Sequence, residues 1–92
     1  FRAIVVNART DFFDESWLGR EIDYKFIEEI QEVCKKYGID LCGENGEYHT
    51  FVIDGPIFKR RLKILESRKT LKEGRWRCWL LEILRCCLEV KV

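Results

Sequence analysis

The 92-residue sequence contains no methionine, one proline (Pro56) and one histidine (His49). With a single imidazole, and five cysteines (Cys34, Cys42, Cys78, Cys86, Cys87) that form no C-x-x-C pair, neither a zinc site nor a disulfide framework is indicated. Reduced, mostly buried thiols are the expectation, because free cysteine is among the most buried residue types. No apolar run approaches the roughly 20 residues that span a bilayer, and the start, Phe1-Arg2-Ala3-Ile4-Val5-Val6, lacks the cleavage region of a signal peptide. A cytoplasmic location follows as an expectation. Neither a Walker-type phosphate loop nor a G-x-G-x-x-G string occurs. The single His49 has no identifiable nucleophile partner, so a Ser-His-Asp triad is unsupported.

What is present is the composition of one globular domain, 47% hydrophobic and 36% charged. The chain opens directly in an apolar alternating run, as a segment cut from something longer would, and residues 1–92 are expected to form a single domain. A formal net charge of +1 conceals two unlike halves. Up to Phe58 there are six basic and twelve acidic side chains; from Lys59 onward there are eleven basic and four acidic. Nine Lys or Arg fall between Lys59 and Arg77, which suits an anionic partner or, more simply, a solvated basic hairpin that offsets the acidic half.

Ala3-Ile4-Val5-Val6-Asn7-Ala8 is rich in β-branched residues and predicts a central strand. Residues 9–19 carry no sustained period but interleave Phe12, Phe13 and Trp17 with acids, the pattern of an ordered loop pinned by aromatics. Phe26, Ile27, Ile30, Val33, Cys34 and Tyr37 then recur at three- and four-residue steps, predicting an amphipathic helix with Asp23 as N-cap and Gly38 as stop. Tyr48 to Ile53 reads as a second strand ended by Asp54-Gly55-Pro56, and Leu62 with Ile64 marks a third. In the tail, Trp76, Trp79, Leu80, Ile83, Leu84, Cys87 and Leu88 fit a helical stripe, whereas Gly74 and the alternation from Leu88 to Val92 fit strands. The fold class expected is α/β (α+β), a small mixed sheet with one long amphipathic helix.

The densest concentration of reactive groups is Gly43-Glu44-Asn45-Gly46-Glu47-Tyr48-His49-Thr50. Glycines there allow backbone amides to approach a ligand closely. A strand beginning at Glu47 would put Glu47 and His49 on one face, where a carboxylate could accept hydrogen bonds from an amine and the imidazole could shuttle a proton. These two are the catalytic candidates, and residues 43–50 together are the substrate-binding candidates. The plainer alternative is a polar turn followed by an edge strand.

The segment from Gly43 through Glu47-Tyr48-His49-Thr50-Phe51-Val52-Ile53-Asp54-Gly55-Pro56 to Lys59 resembles the hallmark of the N-type ATP pyrophosphatases (PP-loop family) related to diphthine-ammonia ligase. Asp14-Glu15-Ser16-Trp17-Leu18-Gly19-Arg20-Glu21-Ile22-Asp23 is similar to that family's segment just upstream. The resemblance implies that this chain is the C-terminal, substrate-binding domain. An N-terminal ATP-binding domain with a Ser-Gly-Gly-x-Asp-Ser loop would lie outside these 92 residues. It further implies an AMP-forming amide ligase using ATP and Mg2+, with translation elongation factor 2 bearing diphthine as protein substrate and ammonia as nucleophile. Glu44 and Glu47 would meet the cationic end of the substrate or ammonium, and Gly19 and Arg20 would contact phosphate or adenylate. Asn45 stands where the family has glycine. The resemblance also tips the tail toward strands. Alternatives are the RNA-binding domain of a tRNA-modifying ATP pyrophosphatase and a non-catalytic interaction module; a homo-oligomer is also compatible.

Overall fold

The computed structural model describes residues 1–43 and 46–91. Glu44, Asn45 and Val92 lie outside the described residues, and so do the expectations placed on Glu44 and Asn45. Four strands form one sheet: β1 (Arg2–Arg9), β2 (Tyr48–Asp54), β3 (Arg60–Lys72) and β4 (Cys78–Val90), in the order β2-β1-β4-β3. One helix, α1 (Tyr24–Tyr37), and a 3-10 turn at Glu15–Trp17 lie between β1 and β2.

The β-branched run predicted as a central strand is β1, flanked by β2 and β4. The sheet is antiparallel at every pairing, which corrects the expectation of a mixed sheet. The connection between β1 and β2 explains this. After β1 the chain doubles back along the strand: the Gly19 amide donates to Val5 O at 2.8 Å, and the Ile22 amide donates to Ala3 O at 2.9 Å. Helix α1 then carries the chain forward by about 1.5 Å per residue, so β2 enters opposite Ala8 and runs against β1 as far as Arg2. Two passes along β1 leave β2 antiparallel to it.

The helix forms as its period and caps demand. Asp23, in extended conformation, accepts a hydrogen bond from the Phe26 amide at 2.8 Å, and Gly38 takes a left-handed φ of 68° while its amide donates to Cys34 O. Lys35 and Lys36 occupy the last turn, where the helix dipole favours positive charge. Its inner face delivers Phe26 and Ile30 to a core shared with Val5, Ala8, Phe13 and Leu18. Ile27 and Tyr37, on the margins of the same stripe, remain exposed.

The helical spacing of residues 76–88 does not produce a helix. Residues 78–90 form β4, paired with β3 from Arg60↔Val90 to Lys72↔Cys78. Pairing with β3 overrides the local period, as it can when one ladder satisfies both strands' backbone groups. The third strand is also longer than Leu62 and Ile64 alone indicate. Only residues 78–80 of β4 pair with β1, so the far half of the hairpin has no third strand beside it. That accounts for the cysteines: all five are free, but Cys86 and Cys87 on the outer half of β4 are exposed, as is Cys42, against the expectation of mostly buried thiols.

Candidate functional site

The two glycines of the candidate loop are fixed by geometry. Gly43 has φ 68° and is buried; a Cβ built there would sit 2.9 Å from Tyr48 O and 3.0 Å from two atoms of the Tyr48 ring. Gly46 has φ 81°, and its amide donates to Gly43 O at 3.0 Å. Both positions favour glycine because a side chain in left-handed conformation is strained. Upstream, Asp40 closes the turn by accepting from the Cys42 amide at 2.7 Å.

Tyr48 is the anchor of the site. Its hydroxyl donates to Leu41 O at 2.6 Å, and its ring meets Phe13 and Phe26 edge-on, with centroids 5.9 Å away in each case. Phe13 in turn meets Trp17 at 5.0 Å, and Trp17 meets Phe26 at 5.6 Å, which closes a ring of four edge-to-face contacts. Contacts of this kind are worth about 0.5–1.5 kcal/mol each beyond buried area. Trp17 comes from the segment just before α1 and Tyr48 from the glycine-rich loop. The two sequence segments singled out above therefore meet through this cluster.

Burial first, and then the nearby Cys42, Cys34, Asp40 and Glu47, raise the Tyr48 phenol above its ordinary value. Burial likewise raises the Cys34 thiol, with Asp40 and Glu47 adding to the effect. Both groups are thereby held in their neutral forms. Glu47 is the sole buried charged residue among those described, 3% exposed, and its backbone oxygen accepts from the Arg9 amide at 2.9 Å.

His49 and Thr50 are exposed on β2, an edge strand, opposite Asn7 and Val5. The Arg9–Glu47 backbone bond carries the β1–β2 pairing one residue past the start of β2 at Tyr48. Glu47 is buried there, whereas His49 is exposed. Gly19 and Arg20 are spent largely on architecture. Their backbones pair with Val5, and the Arg20 guanidinium forms an ion pair with Glu29 and lies 4.6 Å over the Trp17 ring.

Sequence reading missed a pocket of about 640 Å³ between β1 and the β3–β4 hairpin. Its wall includes Arg2, Arg61, Lys63, Lys69 and Glu89, its floor Ile4, Leu18, Ile53 and Leu81, and Gly19 lies at its edge. Among the described residues of that segment, Gly43 and residues 46–50, none lines it. The signal was available in the basic alternation of Arg61 and Lys63, but the opposing wall comes from residues distant in sequence. Among the described residues, no three His, Cys, Asp or Glu side chains are grouped so as to hold a metal ion, and none is assigned to Mg2+. No helix among them is long and apolar enough to cross a membrane.

Residues 1–85 match the family model described as diphthamide synthase C-terminal domain. Three curated relatives are diphthine–ammonia ligases. That of Bos taurus is 37% identical over 67 residues, covering 72% of this chain and 25% of the relative. That of Homo sapiens is 44% identical over 50 residues, 54% of this chain and 18% of the relative. The Rattus norvegicus protein is 52% identical over 42 residues, 46% and 16%. The matched region thus spans a quarter or less of each of these relatives. By the match over residues 1–85, the chain belongs to the diphthamide synthase C-terminal domain family.

Proposed function

We propose that this chain is the substrate-binding domain of an amide ligase that joins ammonia to the carboxylate of diphthine on translation elongation factor 2. The supporting observation is the junction of the two family segments, where Tyr48 and Trp17 share one aromatic cluster and Gly43 packs directly on Tyr48. In the proposed reaction the carboxylate attacks the α-phosphate of ATP, releasing pyrophosphate and forming an acyl-adenylate. Ammonia then attacks the acyl carbon, AMP leaves, and the ammonium proton passes to solvent or a nearby base.

ATP and its Mg2+ belong in this proposal to an N-terminal domain of the same protein. This domain's part is to bind and orient the acceptor. Glu47, buried just before β2, is the carboxylate proposed to meet ammonium or the trimethylammonium group of diphthine once the loop opens to the acceptor. His49 and Thr50 stand on the exposed edge, where they can orient the acyl group. Arg20 would reach phosphate only by exchanging its ion pair with Glu29. A cytoplasmic location is part of the same reading.

The test is ATP-to-AMP turnover by the full-length protein with unamidated elongation factor 2 and ammonium, wild type against Glu47→Gln. Loss of a preorganised charge predicts a drop of about a hundredfold, with a melting curve that stays cooperative. Unchanged turnover removes Glu47 from the site. A second reading, RNA binding, is favoured by one observation: the basic residues between Lys59 and Arg77 lie mainly on the exposed β3–β4 hairpin.

A further inference from the structure

The pocket under the β3–β4 hairpin has a lopsided charge. Four cationic side chains enter its wall against one carboxylate, Glu89. Two of the four are already engaged: Arg61 Nε lies 3.1 Å from Glu89, and Arg2 pairs with Glu21. Lys63 reaches the same Glu89 only at 3.9 Å. Lys69 has no carboxylate oxygen within 4.0 Å among the described residues. Of these four, Lys63 and Lys69 are therefore the least neutralised.

Below them the surface changes character. Ile4, Leu18, Ile53 and Leu81 are core residues that also line the cavity, and among the described residues no aromatic side chain does. Its volume falls in the range of roughly 300–1,000 Å³ typical of small-molecule sites. Nucleic acid bases stack on aromatic faces, which this cavity does not offer. An aliphatic body would bury against the floor while its acidic head met a lysine at the wall.

We propose that this pocket binds a small organic anion, a carboxylate or phosphate head on an aliphatic body, held by Lys63 or Lys69 above the Ile4–Leu81 floor. The proposal goes beyond the ligase reading: among the described residues, neither Gly43 nor any of residues 46–50 contributes to the cavity, although Gly19 borders it.

Methyl-resolved NMR of the full-length protein tests it with four probes: octanoate, octyl phosphate, octan-1-ol and inorganic phosphate. The expected result is saturable shifts at the Ile4 and Leu81 methyls with one or both octyl anions, and binding at least about tenfold weaker for the neutral alcohol and for bare phosphate. Preference between octanoate and octyl phosphate identifies the head group. Lys63→Glu combined with Lys69→Glu should weaken the anion about tenfold or more, the neutralising Lys→Gln pair should weaken it less, and Lys72→Glu, outside the cavity, should leave it within twofold. Glu47→Gln should leave it unchanged, which separates failure here from failure of the ligase reading. Binding of octan-1-ol or of inorganic phosphate as tight as that of the octyl anions, or displacement of octanoate by an oligoribonucleotide that binds more tightly, would overturn the proposal. So would the absence of shifts at Ile4 and Leu81, or an affinity indifferent to both lysine pairs.

Discussion

Replacing Gly43 by alanine isolates the contact on which the candidate site is built. Two costs add. A left-handed residue other than glycine loses about 1–2 kcal/mol, and Gly43 has φ 68°. The new Cβ would also lie 2.9 Å from Tyr48 O and 3.0 Å from its ring, closer than such atoms tolerate. Relief requires the loop or Tyr48 to shift, an overpacking cost of about 1–3 kcal/mol. Restricting the unfolded chain returns about 0.4–1 kcal/mol. The net loss expected for Gly43→Ala is therefore about 1–5 kcal/mol. Gly46 provides the control, since it has φ 81° but an added methyl would meet nothing within 4 Å among the described residues. Gly46→Ala should lose only about 0.5–1.5 kcal/mol. Urea denaturation of both variants measures the difference, and thermal melting should separate them by about 5–20 °C at 4–8 °C per kcal/mol. Equal losses would refute the claim that Tyr48 packing, rather than backbone conformation alone, requires glycine at 43. Under the proposed function, Gly43→Ala should also reduce ATP-to-AMP turnover of the full-length protein more than Gly46→Ala, because only the former displaces Tyr48.

Two pH dependences follow from the ionisable groups. Burial raises the Tyr48 phenol above its ordinary value of 10.0, so folding favours the protonated form. Its stabilising contribution is present below that value and is lost as pH rises through the raised folded value; Tyr48→Phe should flatten the alkaline limb of a urea-midpoint curve above about pH 10. A limb of equal steepness in the variant would show that Tyr48 is not the group responsible. At the other end, Lys91 donates to Gly55 O at 2.7 Å and also pairs with Asp54, and it is the Lys91–Asp54 hydrogen bond that holds the Asp54 carboxyl below its ordinary 3.8. A lowered carboxyl stabilises above the unfolded value and loses that contribution as pH falls through the folded one. Lys91→Met should therefore destabilise near neutrality, with the difference from wild type shrinking below about pH 3.8; a constant difference across the acid range would contradict the ion-pair account.

Legibility in the sequence followed the range of the interactions involved. The edges of α1 were readable because a cap acts over a few residues: Asp23 accepts from Phe26 and the Gly38 amide reaches Cys34. The polar loop was readable because Gly43 and Gly46 satisfy backbone needs within their own turn. Residues 76–88 were not readable by period alone, since the same apolar spacing serves a helix or a strand until β3 is in place. For the same reason the exposure of Cys86 and Cys87 was hidden: it depends on where β1 stops pairing with β4.

By itself the sequence determined a β1 strand, a capped amphipathic helix, a glycine-bearing loop ahead of β2 and the two segments that mark the family. Each rests on side chains acting on nearby backbone, or on a string of residues recognisable without coordinates. Only the tertiary structure decided that Glu47 is buried while His49 is exposed, because burial depends on which distant parts of the chain pack onto each residue. It alone decided the pocket, whose floor joins Ile4, Leu18, Ile53 and Leu81. Those four residues come from separate stretches of chain, and their meeting is a product of sheet curvature and pairing that no local pattern encodes.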